Sequence, residues 1–241
     1  GPRAHLVYCT HVAPYCARCD LEDDAFGRTA WIRLVGSERS VRPRAPFLYV
    51  FVANGDPEEV VDQMLSAPRA RGPLRIAEVG AGTGIATRLL LEGAHSHGGL
   101  ARMHAFDPST GMLHHLQQSL FGTPNGPGLV EKLKLEGKLA FDAQVLIGEG
   151  AFDSFQAGAD NDLVVIAQAW HWCPDFDQAL AHIATQLRPG GVLALVWNLE
   201  DRDAAPWIAK LRDLYEKFED GAPQCMSRRS RRPPHGLEED V

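Results

Sequence analysis

Ile76-Ala77-Glu78-Val79-Gly80-Ala81-Gly82-Thr83-Gly84-Ile85-Ala86 is the stretch on which the fold is read. Apolar residues end a strand, three glycines at alternate positions turn the backbone, and Ile85 opens a helix. Glycine tolerates positive φ and lets a ligand lie against the main chain. The N-terminus of the helix then points unpaired amides at that ligand. Asp107 follows Gly84 by 23 residues and closes the next expected strand. A carboxylate there accepts both hydrogen bonds of a ribose diol. The plain alternatives are a tight turn with no ligand and, for Asp107, a helix cap.

The flanking sequence repeats this strand–turn–helix pattern. Asp56 and Pro57 open a helix whose apolar face is Val60, Val61, Met64 and Leu65. Strands are expected at 74–79, 103–106, 144–147, 163–167 and 192–197. Helices are expected at 85–92, from Ser109 through Leu120, at 176–187 and at 205–218. Pro189, Gly190 and Gly191 make a turn before the fifth strand. Alternating strands and helices predict an α/β fold, a doubly wound, mostly parallel Rossmann-like sheet with helices on both faces.

The chain has 241 residues, net charge −7 and 45% hydrophobic residues. That fits a domain at 56–224 between an unmatched leader, 1–55, and a disordered tail, 225–241. Net acidity argues against nucleic-acid binding, and no run reaches the roughly 20 apolar residues of a membrane span. Five cysteines suit a reducing compartment, hence a cytoplasmic protein. Arg228, Arg229, Arg231 and Arg232 in the tail also permit nuclear import, with a solvated tail as the plain reading. Cys9, Cys16 and Cys19 hold half of a zinc-site spacing but lack a regular second half, so no metal is expected.

Glycine spacing separates cofactors. Dinucleotide sites favour G-x-G-x-x-G, whereas here the pattern is G-x-G-x-G with Ile85 at the third dinucleotide position. Glu78 would repel a pyrophosphate and attract a cationic amino-acid group. The ligand so described has nucleoside and amino-acid ends and no phosphate. At this point the chain resembles the class I S-adenosylmethionine-dependent methyltransferases, in particular the type 11 small-molecule subgroup and its fungal members. E-V-G-A-G-T-G (78–84), F-D-P-S-T-G-M-L (106–113), A-D-N-D-L-V-V-I-A-Q-A-W-H-W-C-P-D (159–175) and L-R-P-G-G-V-L-A-L-V-W-N-L-E-D-R-D (187–203) carry the resemblance, in order.

The resemblance implies S-adenosyl-L-methionine as cofactor and methyl transfer to a small-molecule acceptor. It implies Glu78 at the methionine end, with Gly80, Ala81, Gly82 and Gly84 as the floor. It implies Asp107 on the ribose, Glu149 and Gly150 at the adenine, and Gln168 beside the methyl donor. Methyl transfer from a sulfonium needs alignment and exclusion of water rather than a metal. His171, between Trp170 and Trp172 after the fourth strand, is the candidate base if the acceptor must lose a proton. A histidine that merely shapes the pocket mouth is its other reading. The indoles suit either acceptor stacking or the core.

The match stops at Cys225, where the family continues into two more strands, the second beside strand five. The chain therefore reads as truncated and two strands short, with V-L-A-L-V-W (192–197) as an exposed edge. Phe47–Ala53 is a good strand by composition and could cover that edge. A second copy, in a homodimer, is the other cover expected. A non-catalytic cofactor-binding or interaction protein is the alternative to an enzyme, and a nicotinamide-dependent oxidoreductase is a weaker third reading.

Overall fold

A computed structural model describes residues 30–33, 47–53, 57–68, 70–198 and 205–215. In chain order the strands are β1 (Ala30–Arg33), β2 (Phe47–Ala53), β3 (Leu74–Val79), β4 (Leu100–Asp107), a two-residue hairpin β5 (Gly122–Thr123) and β6 (Gly126–Pro127), β7 (Gln144–Glu149), β8 (Asn161–Ala167) and β9 (Leu187–Asn198). The helices are α1 (Pro57–Ser66), α2 (Ile85–Gly93), α3 (Thr110–Phe121), α4 (Leu129–Leu135), α5 (Phe176–Gln186) and α6 (Pro206–Tyr215). Seven strands form one sheet in the order β1-β2-β9-β8-β3-β4-β7. Every neighbouring pair is parallel except β1 with β2.

The centre of the sheet is apolar on both faces, as a covered parallel sheet requires. Alternation along each strand sends neighbours to opposite sides. Ile76, Leu163, Val165 and Val192 join the layer with α1, α2 and α3. Ala77, Val164, Ile166 and Leu193 join the layer with α5 and Trp170. Each such Val, Leu or Ile side chain, fully buried, contributes about 1.5–3 kcal/mol.

The chain runs from β3 to β4 and β7 on one side, then returns to β8 on the other side of β3. The strand order therefore reverses at β3, and the crevice beyond its carboxyl end is where open α/β sheets take ligands. The glycine turn sits there. The opposite end is tied by polar groups. Asp162 accepts from the Arg75 amide at 2.8 Å and from Arg188 Nε at 2.5 Å. Asn161 Nδ2 donates to the carbonyls of Gly158 and Gln186, each at 2.7 Å.

One expectation is met and others need correction. The β9 edge is covered by Phe47–Ala53, as its composition suggested: β2 pairs along it from Phe47 with Val192 to Ala53 with Asn198. Two strands of the expected leader thus lie where the family's last strands were thought missing, and the edge that called for a second copy is paired within the chain. The Pro189–Gly191 turn lies inside β9. Gly190 has φ 79°, and the register slips there, with Leu187 opposite Asn161 but Val192 opposite Leu163. Helix α4 was not foreseen; it is short, with Val130 and Leu133 as its buried contacts. Cys9, Cys16, Cys19 and Arg228–Arg232 lie outside the described residues.

Candidate functional site

The three glycines of the turn all adopt positive φ, 76° at Gly80, 57° at Gly82 and 86° at Gly84. They serve different ends. A Cβ on Gly80 would lie 2.5 Å from Ala169 Cβ, and one on Gly84 would clash with Leu116 Cδ1. Those two let the turn pack on the exit of β8 and on α3. A Cβ on Gly82 would meet nothing within 4 Å, because Gly82 faces open space. The cavity it faces holds about 500 Å³.

Asp107 ends β4 beside this turn. One carboxylate oxygen accepts the Gly82 amide and the other the Ser109 amide, both at 2.8 Å. These bonds fix the carboxylate and leave lone pairs on both oxygens. Ser109 also caps α3, accepting from the Met112 amide at 3.4 Å. The sequence alternatives therefore merge: Asp107 holds the turn, and its neighbour caps the helix.

Glu78, one residue before the end of β3, is 1% exposed and lines the cavity. Thr87 Oγ1, from the first turn of α2, donates to it at 2.5 Å. Burial pushes its carboxyl up from 4.5 to about 7, against the lowering effects of Thr87 and Arg88. A buried carboxyl so placed is half-ionised near neutrality and gains from an incoming cation. Thr87 was missed in the sequence. Its signal is one fully buried hydroxyl on an otherwise aliphatic helix face.

Gly80, Ala81, Gly82, Glu78 and Gln168 share the cavity lining. Gln168 has φ 56°, the positive-φ non-glycine among the described residues, and its amide donates to Val196 O at 2.8 Å. A side chain held in this uncommon conformation at a strand end marks a site under constraint. Glu149 ends β7 opposite Asp107, and the Gly150 amide donates to Asp107 O at 3.4 Å. A Cβ on Gly150 would lie 2.9 Å from Phe155 Cβ, so that glycine is needed for packing. Glu149 and Gly150 lie one strand beyond the cavity, on the Asp107 side.

Like Gly84, Asp107, Glu149 and Gly150, His171 is not among the residues that line the cavity. It lies in a short 3-10 turn, Trp170–Trp172, with its ring 5.0 Å from that of Trp172, and burial lowers its pKa. Trp170 is fully buried against Phe152 and Phe176, whereas Trp172 is exposed. Core packing thus explains the first indole. Phe152, unmarked in the sequence, stands 3.8 Å from where a Gly80 Cβ would be.

The residues fit S-adenosyl-L-methionine. A glycine opens the floor, a fixed carboxylate flanks it on one side, and a buried acid waits on the other. Among the described residues no cluster of three metal-binding side chains is found, and no helix is long and apolar enough to cross a membrane.

Comparison with known proteins agrees. The type 11 family described as a methyltransferase domain matches residues 77–195. An uncharacterized methyltransferase of Mycobacterium bovis is 33% identical over 170 residues, 69% of this chain and 54% of that protein. An uncharacterized methyltransferase-like protein of Schizosaccharomyces pombe is 39% identical over 66 residues, 27% of this chain and 25% of that protein. The chain thus spans about half the length, or less, of these relatives. A solved S-adenosylmethionine-dependent methyltransferase of Thiobacillus denitrificans, in complex with S-adenosyl-L-homocysteine, overlays with TM-score 0.39 and 19% identity, covering 58% of this chain and 48% of that one. Residues 77–195 are a methyltransferase domain, and through it the chain belongs to the class I S-adenosylmethionine-dependent family.

Proposed function

We propose that the chain transfers a methyl group from S-adenosyl-L-methionine to a small-molecule acceptor. The observation that carries this reading is the pairing of Asp107 with the Gly82 amide across an open glycine floor. Asp107 would take the ribose diol on its remaining lone pairs. Glu78 would hold the cationic amino group, and Gly82, with Gly80 and Gly84 shaping the turn, would let the ligand lie on the backbone. Glu149 and Gly150 would meet the adenine, and Gln168 would stand beside the reacting methyl. When bound, the cofactor supplies a methyl group on a sulfonium already activated for displacement. The chain's own work is then orientation and exclusion of water. No base is assigned: transfer from a sulfonium needs one only if the acceptor must lose a proton, and His171 is the candidate for that role. Transfer of labelled methyl groups to an acceptor panel tests the reading; tight cofactor binding without transfer to any acceptor would favour a non-catalytic role. We place the protein in the cytoplasm.

A further inference from the structure

The cavity beside the glycine turn has two unlike walls. One is polar, made of the turn, Glu78 and Gln168. The other is aliphatic, built from Val60 and Met64 of α1, Leu89 of α2, Met112 of α3 and Val196 of β9. The apolar character continues outward, since Met112 in this wall and Ile85 beside the turn are 44% and 67% exposed. Among the described residues that line the cavity, Glu78 is the one that titrates, and Thr87 holds it. A wall of this kind gains from an apolar occupant in proportion to the area covered. The cofactor's charged amino-acid end and its ribose match the polar wall, and its adenine is assigned beyond Asp107 to Glu149 and Gly150, which leaves the aliphatic wall to a second molecule.

We infer that the α1 wall is the acceptor site and that the acceptor is an uncharged compound with a hydrocarbon body. Val60, Met64 and Met112 select it by shape. A charged acceptor would lose water against these side chains and gain no counter-charge. This inference rests on the methyltransferase reading for the occupant of the polar wall.

The test is a fluorescence titration of the full chain with Nile red, a neutral apolar dye, with and without saturating S-adenosylhomocysteine. Calorimetry follows the homocysteine ligand separately. Nile red is expected to bind in the presence of that ligand with its Kd changed less than threefold. Val60→Lys and Met112→Lys are each expected to raise the dye Kd at least tenfold and to leave the homocysteine ligand's Kd within twofold. Met112 is exposed enough that its variant folds. Decanol is expected to displace the dye at least tenfold better than decanoate. Competitive displacement of the dye by the homocysteine ligand would overturn the inference, as would unchanged dye binding in both variants or equal competition by decanoate. Dye binding that responds to both variants, with no homocysteine-ligand binding at all, would sink the cofactor reading and leave the apolar wall supported.

Discussion

Glu78 makes the stability of this domain fall as pH rises through a defined window. Its carboxyl is buried beside Thr87, and burial raises its pKa from 4.5 to about 7. Below pH 4.5 the group is protonated in both folded and unfolded chains, and it contributes no pH dependence. Between 4.5 and 7 the unfolded chain releases a proton that the folded chain keeps. Stability therefore declines across that window. Above 7 both states are ionised and the full penalty stands. The difference of about 2.5 units, at about 1.4 kcal/mol each, is about 3 kcal/mol. Glu78→Gln removes the titration while keeping an oxygen for Thr87. Urea unfolding at intervals from pH 4.5 to 8 should show wild type and variant converging at the acid end. The variant should be more stable by about 3 kcal/mol at pH 8. A stability difference that stays constant from pH 4.5 to 8 would refute the reasoning. A cationic group bound beside Glu78 should also draw off its proton, so cofactor binding near pH 6.5 should release protons, seen as a buffer-dependent heat.

The other expectations are briefer. Gly84→Ala should lower stability by about 2–4 kcal/mol in denaturant unfolding, from left-handed backbone strain plus the clash with Leu116. Gly82→Ala has the strain without the clash, so it should cost only about 1–2 kcal/mol while weakening cofactor binding at least tenfold. His171→Ala should leave cofactor affinity within twofold and methyl transfer within threefold, checked by calorimetry and the labelled-methyl assay, because transfer from a sulfonium to an acceptor that keeps its protons needs no base.

The centre of the fold was legible because its signals are local. Strand β3, the glycine turn, α2 and Asp107 follow one another closely, and an unbroken apolar run marks β8 without reference to anything distant. The β2 strand shows the limit. Phe47–Ala53 reads as a strand by composition, but its partner β9 lies more than a hundred residues away, and that partner was named only by the edge that strand counting left open. The site divides in the same way. Gly80, Gly82 and Gly84 look equivalent in sequence, yet two of them answer to Ala169 and Leu116 and one to the cavity. The apolar face of α1 was visible as a helix stripe, but not that Val60 and Met64 on it also line the cavity. His171 looked suitable by type and neighbourhood, and its place in a 3-10 turn just past Gln168 follows from the path of the chain after β8. Thr87 matters through its bond to Glu78, a pairing that needs β3 and α2 to be placed against each other.

The most direct measurement is calorimetric titration of the full chain with S-adenosyl-L-methionine and with NAD, repeated for Asp107→Ala. The first ligand should bind one to one, NAD should not bind, and the variant should lose at least tenfold in affinity for the first. Binding of NAD instead, or an affinity that Asp107→Ala leaves unchanged, would contradict the assignment of the glycine turn and Asp107 as the methyl-donor site.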